Sequence, residues 1–392
     1  MGDDPDPGPV GHSHGDLGDP HPELGPVSPH VRRILAVLGA LVAIGCVIGL
    51  VTTWPSDPTE AAEGFAIDRV EATIISLDVC EGGEGECLEA VAELDDGTEV
   101  VVQVPGSGQA GSVDMGQDVV LGYSEELPVG NQYSYLEADR STPVTALVLV
   151  FAIAVILLSG WRGAASLLSL ALTLLVIGVY VLPALRDGSS PLLVALVTAG
   201  VVMLITMYAS YGVSVRSTVA LVGTLLGLAL AALVGRVVTA AAEFTGLDET
   251  TRFLETLVGS VDTRGLLLAG LIIGALGVLD DVTVTQTATV WELAAADPDA
   301  PRRSLFAAGM RVGRAHVSAT VNTLVLAYVG ASLPLLLYIS ALGTSWTDAV
   351  FSESVATEIV RGLAGSLGIV AAVPLTTALA CWAVPRPISS PR

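Results

Sequence analysis

Eight stretches of this chain are almost wholly apolar, at about 34–53, 143–160, 164–185, 191–210, 217–241, 265–288, 315–339 and 363–384. No arrangement of one soluble core accommodates that pattern. Each run matches the roughly twenty residues that a helix needs to cross a bilayer. Peptide groups cannot sit unpaired in hydrocarbon, so each run is expected to be a helix that satisfies its own backbone. A mean hydropathy of +0.69 with only 15% charged residues agrees.

The charge is uneven. Of a formal −23, most lies in residues 1–31 and 55–142, and the chain has no lysine. No basic patch is available to neutralise phosphates, which argues against nucleic acid as a partner. Residues 1–31, rich in Pro, Gly, Asp and His, are expected to be a disordered cytoplasmic tail. Residues 34–53 follow Arg32 and Arg33 and read as an uncleaved transmembrane anchor. With the N-terminus inside, ten Arg fall on the cytoplasmic side against six outside, and four of the ten lie at 302–314. That is the sense of the positive-inside bias.

Residues 56–142 then face outward. Alternation in TIISLDV and AVAELDDGTEVVVQV, with hairpin chemistry at Asp95–Asp96–Gly97 and a strand at Asp118–Tyr123, predicts a small β domain. The fold class expected is a mainly α polytopic membrane protein of about eight transmembrane helices with a small extracytoplasmic β-barrel-like insert of OB-like type. A seven-helix membrane domain over 143–384 and a short cytoplasmic tail at 385–392 complete the division. Cys80 and Cys87 flank the EGGEGE segment; an oxidising exterior favours a disulfide there. Cys46 and Cys381 lie in apolar runs and read as small hydrophobes.

Polarity inside the apolar runs marks the candidate site. LLLAGLIIGALGVLDDVTVTQTATVWEL (266–293) places Asp280 and Asp281 about 24 Å along a helix from Arg264. That length puts them in the inner third of a hydrocarbon core about 30 Å thick. Helical spacing puts Asp281, Thr285, Thr289 and Glu292 on one stripe, with Asp280, Thr283 and Thr287 beside it. In the following run Arg314, Ser318 and Asn322 share a face, as do His316, Thr320 and Thr323. Two readings stand. Asp280, Asp281, Thr285, Thr289, Glu292, Asn322 and Thr323 line a substrate or ion pathway, or the Asp pair is a structural partner for Arg311 and Arg314. Gly223–Gly227, Gly270–Gly274 and Gly309–Gly313 are GxxxG spacings that suit close helix packing. Pro183, Pro334 and Pro374 suit broken helices.

The segments GALGVLDDVTVTQTATVWEL (274–293) and LFAAGMRVGRAHVSATVNTLVLAYVGASLPLLLY (305–338), with Ala138–Arg140 and VLPAL at 181–185, resemble the YibE/F family of multipass bacterial membrane proteins. The resemblance spans roughly residues 65–340 and implies an integral protein of a bacterial plasma membrane with an N-terminal soluble insert. It implies no reaction.

No HExxH, GxSxG elbow, P-loop or Cys–His nucleophile occurs, so neither an enzyme nor a cofactor is expected. Gly106-x-Gly108-x-x-Gly111 matches a dinucleotide fingerprint in letters, but a strand rather than a helix is expected next. His12 and His14 form a weak candidate metal pair. The function expected is a permease for a cation or a proton-coupled small solute. The alternative is a membrane scaffold or envelope accessory whose external domain binds a partner. Lipid is the expected environment, and a second copy or a second family member the expected associate.

Overall fold

The computed structural model describes Leu24 and residues 26–56, 68–79, 87–105, 113–125, 127–128, 130–247, 249–259 and 261–385. The described chain is mostly helical, with one antiparallel sheet. In order, it runs α1 (Pro29–Thr53), β1 (Asp68–Val79), β2 (Cys87–Leu94), β3 (Glu99–Pro105), β4 (Asp118–Tyr123), β5 (Tyr133–Ala138) and α2 (Ser141–Val176). Then follow α3 (Leu182–Arg186), α4 (Pro191–Tyr211), α5 (Val215–Ala241), α6 (Glu249–Val258) and α7 (Thr263–Ala296). The last are α8 (Arg302–Ala331), α9 (Leu333–Ala341), α10 (Trp346–Phe351) and α11 (Glu353–Ala383).

Seven helical runs are long and apolar enough to cross a membrane, and an eighth arises if α8 and α9 count as one bent span. These are the eight runs read from hydropathy. Two of them are irregular for local reasons. α8 and α9 meet at 53°, where Ser332 and Pro334 stand at the junction, because proline lacks the amide that would continue the ladder. Ahead of Pro183 the helix widens into a π turn at Ile177–Val181. Pro374, by contrast, stays inside α11.

The chain divides into two compact units, Glu60–Ala164 and the remainder. The first holds the sheet and the start of α2. Its strand order is β3-β2-β1-β4-β5, all antiparallel, and the sheet curls so that its edges β3 and β5 approach. They are not hydrogen-bonded to each other among the described residues, so the sheet is curled rather than closed. The expected hairpin joins β2 to β3. Gly97 takes φ +81 there, Gly97 N donates to Leu94 O at 2.8 Å, and Thr98 N donates to Asp96 Oδ1 at 2.9 Å. A side chain at residue 97 would be strained at that φ. The same Thr98 contacts hold the Asp96 carboxyl below its usual range. Ile74, Ala90, Ala92, Val102, Val119 and Leu121 fill the inner face. At the exit from the sheet, Asp139 accepts from Ser141 N and from Ser141 Oγ, each at 2.8 Å, and its carboxyl is held below the usual range by those bonds. Inside α2, Gly160 at φ +59 separates the apolar runs Ser141–Trp161 and Gly163–Arg186.

The larger unit is a helical bundle centred on α5, α7 and α11. Caps set the helix starts: Ser28 Oγ accepts from Val31 N, Ser214 Oγ from Ser217 N, and Asp262 Oδ1 from Gly265 N. Two of the three GxxxG pairs, Gly223–Gly227 and Gly309–Gly313, sit where a neighbouring helix comes close, whereas Gly270 and Gly274 are exposed and meet side-chain tips. A Cβ on Gly227 would stand 2.8 Å from Ala372 Cβ, 2.9 Å from Leu279 Cδ2 and 3.1 Å from Gly368 O. Gly223 faces Thr376, Gly270 faces Arg361, Gly274 faces the Tyr328 hydroxyl, and Gly309 and Gly313 face Gln286. α1 is tied to the turn before α3 by a 2.5 Å Thr53 Oγ1–Tyr180 OH hydrogen bond and by stacking of Trp54 on Tyr180.

Adding one methyl at the central contact is expected to overpack it. Gly227→Ala should lower stability by about 1–3 kcal/mol, read as a lower unfolding midpoint in detergent. Gly45→Ala on α1, where nothing lies within 4 Å, should leave the midpoint unchanged or slightly raised.

Candidate functional site

α7 leaves Asp262 as a plain apolar helix and becomes polar only in its second half. The polar residues there separate into two sides. Thr283, Gln286 and Thr287 are buried, at 0%, 3% and 0% exposure. On the other side Asp281 and Glu292 are exposed, with Thr285 and Thr289 half-buried. The stripe read from spacing as Asp281–Thr285–Thr289–Glu292 therefore runs along the outer side of the helix.

The buried side makes a cross-helix network. The hydroxyls of Thr224 on α5 and Thr283 on α7 lie 2.5 Å apart. Gln286 Nε2 donates to Gly309 O on α8 at 2.9 Å and to Thr377 Oγ1 on α11 at 2.7 Å. Thr377 in turn donates to Val373 O at 2.6 Å. Both amide hydrogens of Gln286 are thus used, and the side chain joins three helices. Glycine at 309 and 313 is what admits it: a Cβ on Gly313 would stand 2.8 Å from Gln286 Oε1. Thr224 and Thr377 were not singled out from sequence. The available signal was a pair of adjacent threonines, Thr376–Thr377, inside an apolar run.

Asp280 borders this network. It is half-buried, and its Oδ1 is shielded from solvent without a hydrogen-bond partner. Asp281 points outward with a side chain 72% exposed, 3.8 Å from His316 Nε2 on α8. That separation suits an ion pair when the imidazole is protonated and is too long for a hydrogen bond. Leu279, just before the two carboxylates in sequence, packs on Gly227, which also meets the carbonyl of Gly368. Residues 227 and 368 lie near the middles of α5 and α11, so the pair stands at mid-bundle.

Two site expectations need correction. Among the described residues, neither Arg311 nor Arg314 reaches ion-pair distance of Asp280 or Asp281; His316 does instead. The inward face of α8 carries Leu305, Gly309, Gly313 and Leu324. Arg311 and Arg314 fall roughly 160° and 100° around the helix from Gly313, and both are exposed. Asn322 and Thr323 are exposed as well, so the α8 residue beside the pair is His316.

A second polar cluster occupies the other end of α7. Arg361 Nη1 donates to Glu358 Oε1 at 2.7 Å, with both side chains about a quarter exposed at 25% and 26%. These two border a cavity of about 490 Å³ that Thr251, Leu266, Tyr338 and Glu353 also line. Glu353 is committed to structure: it accepts from Thr245 N at 2.6 Å, Gly246 N at 2.7 Å and the Thr245 hydroxyl. Arg361 lies just ahead of the apolar run at 363–384, so by sequence it reads only as a loop-side charge.

Among the described residues no three His, Cys, Asp or Glu side chains gather in a way that would hold a metal. The candidate pair His12 and His14, the Gly106–Gly111 fingerprint and the Cys80–Cys87 disulfide lie outside the described residues or depend on them.

Removing the joint should weaken the bundle without opening it. Gln286→Leu and Thr377→Val are each expected to cost about 0.6–2 kcal/mol, the range for hydrogen bonds between helices in lipid. In a double-mutant cycle of unfolding midpoints their effects should be non-additive, since each removes the same bond.

The apolar helices fit an integral membrane protein, and comparison with known families agrees. YibE/F-like proteins match residues 147–386, from inside α2 to just past α11. The strands fall outside that match, which starts later and ends later than the resemblance read from motifs. No curated protein matches the chain, and no solved structure does. With well over half its length matched, including the polar half of α7 and its partners on α8 and α11, the chain belongs to the family of YibE/F-like proteins.

Proposed function

We propose that this protein is a permease of the bacterial plasma membrane that moves a proton or another small cation past Asp280. The observation that carries the reading is the half-buried Asp280 carboxylate at mid-bundle, with one oxygen shielded from solvent and unpartnered. Structural carboxylates at such depth are normally paired or fully hydrogen-bonded, because an unpaired charge there is costly. Asp280 instead keeps an acceptor free, on a group able to carry charge, beside the Thr224–Thr283 and Gln286–Thr377 hydrogen bonds.

Depth follows from α5. Arg216 and Arg236 are about 30 Å apart at ~1.5 Å per residue, which equals the thickness of a hydrocarbon core at about 30 Å. Gly227 lies near the middle of that interval, and Leu279 packs on it. At the inner end Arg216 sits over the Trp291 ring, 5.8 Å from its centroid, as interfacial aromatic residues do. The Arg distribution supports a cytoplasmic N-terminus.

In this reading Asp280 takes up the cation or proton, and Asp281 with His316 passes it toward the solvated side. Histidine changes charge near neutral pH and suits a relay. Thr285, Thr289 and Glu292 continue the polar side of α7 toward the inner end. Asn322 and Thr323 are not part of the route; His316 takes their place.

Reconstituted protein should dissipate an imposed pH gradient or take up a monovalent cation, followed by an entrapped fluorescent indicator. Asp280→Asn should reduce that flux at least tenfold with an unchanged unfolding midpoint. Asp281→Asn should reduce it less. Flux equal to wild type in a folded Asp280→Asn protein would overturn the assignment and favour a scaffold.

A further inference from the structure

The outer face of α8 has the wrong chemistry for lipid. Arg311, Ala315, Ala319, Asn322 and Thr323 are all exposed, and Asp281 is exposed on the adjoining edge of α7. Among the described residues Asn322 makes no hydrogen bond and Arg311 no ion pair. These residues are not at a helix end. Asn322 lies within two turns of His316, which is level with Asp281 at mid-bundle. Hydrocarbon offers an amide nothing to bond with.

We propose that this face is the contact between two copies of the chain, joined by a twofold axis along the membrane normal. Three features favour a second copy over lipid or another cover. The face carries both signs of charge, Arg311 and Asp281, so it is complementary to itself, as a twofold interface requires. Ala315, Ala319 and Thr323 at four-residue spacing form a small-residue ridge that lets two helices approach. The apolar run Ser141–Trp161 contains no charged side chain, so it has nothing to offer Arg311 or Asp281. The proposal needs only exposure and chemistry, and stands apart from the permease reading.

Full-length protein released from membranes in mild detergent should show the mass of two chains in native mass spectrometry. Ala319→Cys should give a disulfide-linked dimer under mild oxidation in the membrane, at least fivefold above wild type, which retains the native cysteines. Leu233→Cys, on the 57% exposed outer side of α5, should remain at the wild-type level. Asp281→Arg should shift the native mass toward one chain. A wild-type mass of one chain overturns the proposal, as does cross-linking through Leu233→Cys equal to that through Ala319→Cys.

Discussion

The close approach of α5, α7 and α11 governs everything else in the larger unit. Gly223 and Gly227 bring α5 against Thr376, Ala372 and the Gly368 carbonyl, and Leu279 of α7 closes the third side. Without a strong hydrophobic force between helices in lipid, such contact depends on van der Waals packing and on bonds across the interface. Here both are present at one level. The glycines remove the side chains that would hold the helices apart, and the Thr224–Thr283 and Gln286–Thr377 bonds fix their rotation. Once that rotation is set, one side of α7 must face the bundle and the other must face away.

That division gives the adjacent carboxylates different surroundings. Asp280 turns toward the packed side and is left with an unpartnered oxygen, whereas Asp281 turns outward beside His316. Neighbours in sequence point about 100° apart on a helix, so a DD pair at the edge of an interface is divided by geometry alone. Polar groups bonded across helices, such as Gln286, act as joints; the carboxylate oxygen without a partner is where chemistry is expected. The charged cluster of Arg361 and Glu358 is different again, because its members pair with each other and border a cavity at the opposite end of α7.

Periodicity, caps and turn chemistry carried much of this architecture in readable form. Apolar run lengths marked the spans, Asp95–Asp96–Gly97 marked the hairpin, and the Gly223–Gly227 and Gly309–Gly313 pairs marked close contacts. The broken seventh run was signalled by Pro334. What spacing could not give was the rotation of each helix relative to its neighbours. Arg311 and Arg314 looked suited to pair with the Asp residues because they are near in a hairpin. Gly309 and Gly313, however, turn toward Gln286 and carry both arginines to the outside. The same rotation placed Asn322 and Thr323 on the exposed face.

The sequence by itself determined that the chain forms long apolar helices with a small β insert, because backbone satisfaction in an apolar setting and period-two alternation each permit one kind of element. It also determined that the polar half of α7 is unusual, since so many threonines and carboxylates are costly unless they are used. Only the tertiary structure decided which of those groups are joints and which carboxylate keeps an unpartnered oxygen. A one-dimensional stripe defines a helix face but not the neighbour it meets. That choice depends on where glycines let backbones approach, and therefore on contacts between residues far apart in the chain.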